Sequence, residues 1–199
     1  MAFAPDTVEA LEAAVFLANS ELEPDTLTTW DALIAFFDQH GYTGARPTRA
    51  DLEPVRAIRT PLRTLLFAGR DGAAALVNQI LASQRALPQL VRHEDMDWHI
   101  HATSDDRPLA ERILVESAMA MIDVIRADEF KRFSHCEMPD CDGVVLDLSR
   151  NRSKKYCTLT CTNRAAQAAF RARQAEEAAE AADAADGGAT LGAASLAVE

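Results

Sequence analysis

Apolar residues recur every three to four positions over 8–18 (VEALEAAVFLA), and that spacing predicts a first helix, with Asp6 and Thr7 as caps before it. The run from Thr29 through Trp30 to Phe37 predicts a second helix, closed at Gly41. Residues 49–68 carry a longer helical pattern. Pro54 suits its first turn, and Pro61 would kink or split it, because proline has no N–H to donate. Asp71-Gly72 reads as a break, and 73–87 as the next helix. Residues 108–127 are strongly helical, with Pro108 suited to the first turn. Between these helices the period changes. Leu90–His93 and Trp98–His101 alternate and predict two short strands, with Glu94-Asp95 near the turn.

Composition agrees with a helical chain. Of 199 residues, 48% are hydrophobic and only 6% aromatic, with Ala and Leu dominant. Eight glycines are too few for an all-β reading. The expectation is a mainly α fold in three parts. Residues 1–130 would form a helical domain with a small β-hairpin. Residues 131–174, where the chain's four cysteines fall in the pairs Cys136/Cys141 and Cys157/Cys161, would form a treble-clef or ribbon-like zinc finger followed by a helix. Residues 175–199 would be an acidic, Ala-rich tail, partly disordered. No secretory pattern opens the sequence, and no apolar run approaches the roughly 18 residues of a membrane span. A soluble cytoplasmic protein without a membrane partner is expected.

Charge changes the picture only when read by segment. The net charge is −11, which argues against nucleic acid as an average. Yet residues 131–174 hold nine basic and four acidic side chains, whereas 175–199 hold six acids and no base.

The four cysteines read Cys136-x4-Cys141, a 15-residue gap, then Cys157-x3-Cys161. Two short-range pairs separated by a loop suit four thiolates around one structural zinc ion. Pro139-Asp140 and Asp142-Gly143 are turn formers. Val144–Leu148 predicts a strand, and Ser149-Arg150-Asn151 a turn back. Two disulfides or inert buried thiols are the alternatives, and a reducing compartment disfavours the first. His135 stands beside Cys136 as a neighbour, or as a substitute ligand. Removing zinc is expected to unfold residues 131–170 and leave the N-terminal helices largely intact.

Cys136-Glu-Met-Pro-Asp-Cys141, the stretch Val145 to Cys157, and Cys161-Thr-Asn-Arg164 together resemble the CGNR zinc finger, and the upstream helices resemble the ABATE domain. The resemblance implies a stress-induced transcriptional regulator. It also implies an N-terminal domain that senses a small-molecule effector or forms a homodimer. One departure stands out. The family's Cys-Gly-Asn-Arg is Cys161-Thr162-Asn163-Arg164 here. A glycine needed for positive φ would leave Thr162 strained. A helix start would instead make it a good N-cap, which is the favoured expectation, with the helix beginning near Asn163.

DNA is the expected partner of the basic set: Arg150, Arg152, Lys154 and Lys155 in the loop, then Asn163, Arg164, Arg171 and Arg173 on the helix. A solvated finger surface, or a protein-interaction adaptor, remains the alternative. In the N-terminal region Asn19, Arg59 and Asn78 are candidate ligand-binding residues. Asn19 would otherwise cap a helix C-terminus, and Arg59 would pair with Glu53 or Asp51. His99 and His101 would share one strand face within the tract His93–His101. That tract invites a second metal, but reads better as an exposed polar face. No phosphate loop, dinucleotide fingerprint or nucleophile elbow occurs, and nothing in the pattern requires an enzyme.

Overall fold

The first predicted helix becomes α1 (Pro5–Ser20), and much of the first unit is laid against it. The computed structural model describes residues 3–93 and 96–192. They divide into two units, Met1–Cys157 and Thr158–Glu199.

In the first unit, α2 (Trp30–Gln39) starts at Thr29, whose hydroxyl accepts the Ala32 N–H at 3.2 Å. Past its end, Gly41 takes φ +65°, the left-handed turn that glycine allows at no steric cost. The 49–68 pattern splits: a 3-10 turn (Arg49–Asp51) leads into α3 (Leu52–Ala57) and then α4 (Arg59–Phe67). Pro61 lies in the first turn of α4, where no helical N–H is called for, and the break falls at Ile58. Helix α5 (Gly69–Ser83) begins earlier than expected. Gly69, at φ +67°, makes the turn, and Asp71-Gly72 lies inside the helix. Asp71 then sits in the first turn, where a carboxylate complements the helix dipole. Strands β1 (Gln89–His93) and β2 (Met96–His101) pair antiparallel with Leu90 opposite Ile100; residues 94–95, the expected turn, lie outside the described residues. Helix α6 (Leu109–Arg126) follows Pro108.

Helix α1 packs on α4 and α6, and α5 packs on the same two. Two apolar clusters result. Leu17, Leu33, Phe36, Val55, Leu62 and Ile113 centre one; Leu11, Leu65, Leu66, Met121 and Val124 centre the other.

The second cluster also takes in part of the predicted finger. Strands β3 (Phe133–His135) and β4 (Val144–Leu146) pair antiparallel, and Phe133, Val144 and Leu146 are members of that cluster. Val144 and Val145 are fully buried. Each such side chain contributes about 1.5–3 kcal/mol relative to exposure. The packing of the first unit therefore runs through the expected border at 130/131. The expectation that zinc removal unfolds the whole of 131–170 is narrowed accordingly, because β3 and β4 are part of the helical core.

The second unit is α7 (Leu159–Gly192). Over 159–181 its residues are exposed apart from Cys161 and Ala165. It continues through Gly187-Gly188, where a tail was expected to begin; residues 193–199 lie outside the described residues. Among the described residues, no helix is long and apolar enough to cross a membrane.

Candidate metal centre

Each cysteine is placed by a local backbone device. The Cys136 N–H, just after β3, donates to the Gly143 carbonyl at 2.8 Å, and the Cys141 N–H closes a turn onto the Met138 carbonyl at 3.1 Å. That turn holds Pro139-Asp140, as the sequence predicts. Glu137 N–H donates to the Lys155 carbonyl at 2.9 Å, drawing the chain of the third ligand alongside the first. Cys161 lies in the first turn of α7, its N–H bonded to the Thr158 hydroxyl at 3.1 Å.

The four sulfurs all lie within 4.8 Å of one another, and Cys141 and Cys157 Sγ are 3.5 Å apart. Tetrahedral zinc with Zn–S bonds of about 2.3 Å sets its sulfurs roughly 3.8 Å apart. None of the four cysteines is in a disulfide, which would need about 2.05 Å. Four sulfurs and no oxygen or nitrogen ligand make a closed structural site for one zinc ion. At Cys136 burial opposes the thiolate, but the Met138 and Cys157 N–H groups and the neighbouring thiols outweigh it and hold the pKa below the ordinary thiol value.

Gly143 is needed for space. A Cβ there would stand 2.5 Å from Cys157 Sγ and 3.2 Å from Cys141 Sγ. The sequence marks it only as a turn former; its steric role depends on the folded approach of Cys157. His135 is exposed and stacks on Phe67 at 4.0 Å, a neighbour of the site and no ligand.

Thr162 does not cap α7. The helix starts at Leu159, four residues before the expected start, and Thr158 is the cap. Thr162 is a residue of the first turns, its hydroxyl bonded to the Thr158 carbonyl at 3.0 Å, and it is not among the residues at positive φ. Threonine in place of the family glycine therefore costs no backbone strain.

The basic residues differ in what their charges meet. Arg152 forms a two-oxygen ion pair with Glu129 at 2.8 Å, and Lys155 pairs with Glu137 at 3.1 Å. Lys154 Nζ donates to the Leu146 carbonyl at 3.2 Å. Arg132 is buried and donates to the Asp147 and Ser149 carbonyls. Arg150, Asn163, Arg164, Arg171 and Arg173 are exposed. Asp147, which the sequence offered only as a strand residue, organises the loop. It is 5% exposed and accepts the Ser149 and Lys154 N–H groups at 2.8 and 2.6 Å. Burial opposes its charge, but these bonds and Lys154 prevail and lower its pKa.

The three N-terminal candidates meet different surroundings. Asn19 does not cap a helix end with its side chain. Its amide donates to the Val144 carbonyl at 2.8 Å and accepts the Val144 N–H at 2.7 Å, as a neighbouring strand would. Arg59 is buried in an ion pair with Asp25 at 3.0 Å, and it is Arg56 that pairs with Glu53. Asn78 is exposed on α5.

The histidine tract is also corrected. His99 and His101 do share a face, with Nε2 atoms 3.1 Å apart, but His99 is buried. They line a cavity of about 420 Å³ together with α1, α6 and the end of α2. Among the described residues, the cysteine group is the one set of three or more His, Cys, Asp or Glu ligands close enough for a metal. The His93 side chain lies outside the described residues.

A helical domain whose core takes in the strand pair of a four-cysteine metal site is the class of protein these features define. The ABATE family profile, described as "Putative stress-induced transcription regulator", matches residues 11–128, and the CGNR zinc finger profile matches residues 132–174. The chain belongs to the ABATE family and carries a CGNR zinc finger. No curated protein matches it.

Proposed function

We propose that this chain is a cytoplasmic, non-enzymatic transcriptional regulator that responds to stress, in which zinc fixes the start of α7 and the first four turns of α7 contact DNA phosphates. The helical domain carries the sensing or dimerising role. The observation that supports this most is the charge of residues 159–174. Arg164, Arg171 and Arg173 are exposed there, and the stretch 159–174 itself contains no Asp or Glu. Arg164 and Arg171, seven residues apart, share a face. Beyond 174 the helix turns acidic, with Glu176, Glu177 and Glu180, so DNA contact ends there. The loop contributes less than its composition suggests, because Arg152 and Lys155 are already paired with acids.

The test is the salt dependence of binding to a labelled duplex, read by fluorescence anisotropy. Three phosphate contacts give a slope of log K against log salt of about −3. A flat dependence, or no binding at low ionic strength, removes the DNA reading.

A second reading, a protein-interaction adaptor, is favoured by Leu159 and Phe170, which are 75% and 54% exposed on the same helix. At 100° per residue they lie on one stripe, roughly 120° from the Arg164–Arg171 pair. An apolar partner on that stripe would bind with little dependence on salt.

A further inference from the structure

The cavity along β2 is lined in part by polar groups. Its wall includes Arg112 and Glu116 of α6, His40 and Tyr42 after α2, and His99 and His101 of β2. His40 Nε2 and Arg112 Nε are buried with no hydrogen-bond partner among the described residues, and Arg112 is only 3% exposed. The Arg112 fork is otherwise committed, to the Thr43 carbonyl at 2.9 Å and to Asp105 at 3.4 Å.

The mouth is of a different kind. Leu90, Trp98 and Ile100 also line the cavity and are 68%, 64% and 44% exposed. Three large apolar side chains beside a polar interior suit a ligand with an apolar body and a polar head. The volume, about 420 Å³, is that of a small organic molecule.

The sign of the head follows from the wall. Asp6, Glu9, Glu116 and Asp123 line it, against Arg112 and Arg126. Asp123 is bonded to the Thr7 hydroxyl, and Asp6 to the Thr7 N–H. Glu116 has no hydrogen bond among the described residues. Burial raises its pKa to about 7, with Arg112 pulling it down and Asp105 pushing it up. Burial likewise pushes the neighbouring Tyr42 hydroxyl well above its ordinary value, with Glu116 adding to the effect and Arg112 opposing it.

We infer that this cavity binds a small organic amine, its ammonium group against the Glu116 carboxylate and its apolar body against Leu90, Trp98 and Ile100. The inference deepens the sensing role proposed for the helical domain and rests on it for its biological meaning. The binding event itself does not depend on DNA.

Calorimetric titration of the full-length, zinc-loaded protein tests it, with 2-phenylethylamine as the probe. 2-Phenylethanol and 3-phenylpropionate serve as neutral and anionic counterparts. The expected result is saturable 1:1 binding of the amine, at least tenfold tighter than either counterpart. Glu116→Gln is expected to weaken it at least tenfold, and Trp98→Ala to weaken it several-fold. Glu12→Gln, an exposed carboxylate outside the cavity, is expected to leave it unchanged. NMR shift mapping on the unaltered protein is expected to place the amine at Trp98, His99 and Glu116. Equal or tighter binding of the alcohol or the acid, shifts confined to other surfaces, or no saturable amine binding up to millimolar concentration would overturn the inference. Because no DNA is present, failure of DNA binding leaves the amine result intact. An amine that binds here without altering DNA affinity would count against the sensing role alone.

Discussion

The two halves of the cysteine module are both basic in sequence, and they use that charge differently. Residues 131–157, with six bases and four acids, are tied into the helical core. β4 is buried, Asn19 pairs with Val144, Asp147 gathers the loop backbone, and Arg132, Arg152 and Lys155 spend their charges within the protein. Residues 158–174 form the start of an exposed helix with three exposed arginines and no acid. Counting charge along a sequence treats these halves alike. What the loop cations meet after folding, Glu129, Glu137 and backbone carbonyls, is set by long-range approach.

The largest effect expected from this contrast concerns the metal. Gly143→Ala drives a methyl group into the Cys157 and Cys141 sulfurs, and zinc content should fall from one ion per chain to near none, as read by metal analysis after dialysis. Chelation of the unaltered protein should then separate the halves. Hydrogen exchange in 137–143 and 158–165 should quicken on the order of a hundredfold, while the amides of Val144–Leu146 keep the protection of the core. Equal loss in both segments would break the comparison.

Asn19→Ala should come next. It leaves the Val144 N–H and carbonyl without their partner, which costs about 2–4 kcal/mol in urea unfolding of the first unit. A change under about 0.5 kcal/mol would mean the strand pair is held by the metal alone.

Asp147→Asn gives a smaller effect with a pH signature. Its folded pKa is lowered below the ordinary 3.8, so its contribution is fully present above that value and is lost as pH falls through the folded pKa. The substitution should cost about 1–3 kcal/mol at pH 7. That difference should shrink progressively below pH 3.8, as followed by thermal melts across the acid range. A cost that persists at low pH would assign Asp147 a role other than its charge.

Arg152→Ala should matter least. The pair with Glu129 is partly exposed, and its loss should cost no more than about 1 kcal/mol.

The sequence made the metal site legible because its ligands are close in the chain. The Cys136–Cys141 and Cys157–Cys161 spacings report geometry directly, and the turn residues stand between them. Most helices were legible for the same reason, through local period and through Thr29, Gly41 and Pro61. Hidden were the features set by long-range approach. Asn19 meets a strand 125 positions away, and Arg59 meets Asp25 across 34. The cavity gathers His40, His99 and Glu116 from three elements. The start of α7 was displaced for a local reason. Thr158 and Thr162 are both capable caps, and the requirement that Cys161 lie inside the first turn favours the earlier one.

The central claim is that the exposed arginines of α7 contribute more to DNA contact than Arg152 and Lys155, which are paired with acids. Anisotropy titrations of one labelled duplex across a salt series, for Arg164→Ala/Arg171→Ala and for Arg152→Ala/Lys155→Ala, test it most directly. The account predicts that the helix pair reduces the salt slope by about 2 and weakens binding at least tenfold, whereas the loop pair changes affinity less than threefold and leaves the slope in place. A loop pair that removes as much slope as the helix pair, or a helix pair that removes none, would contradict it.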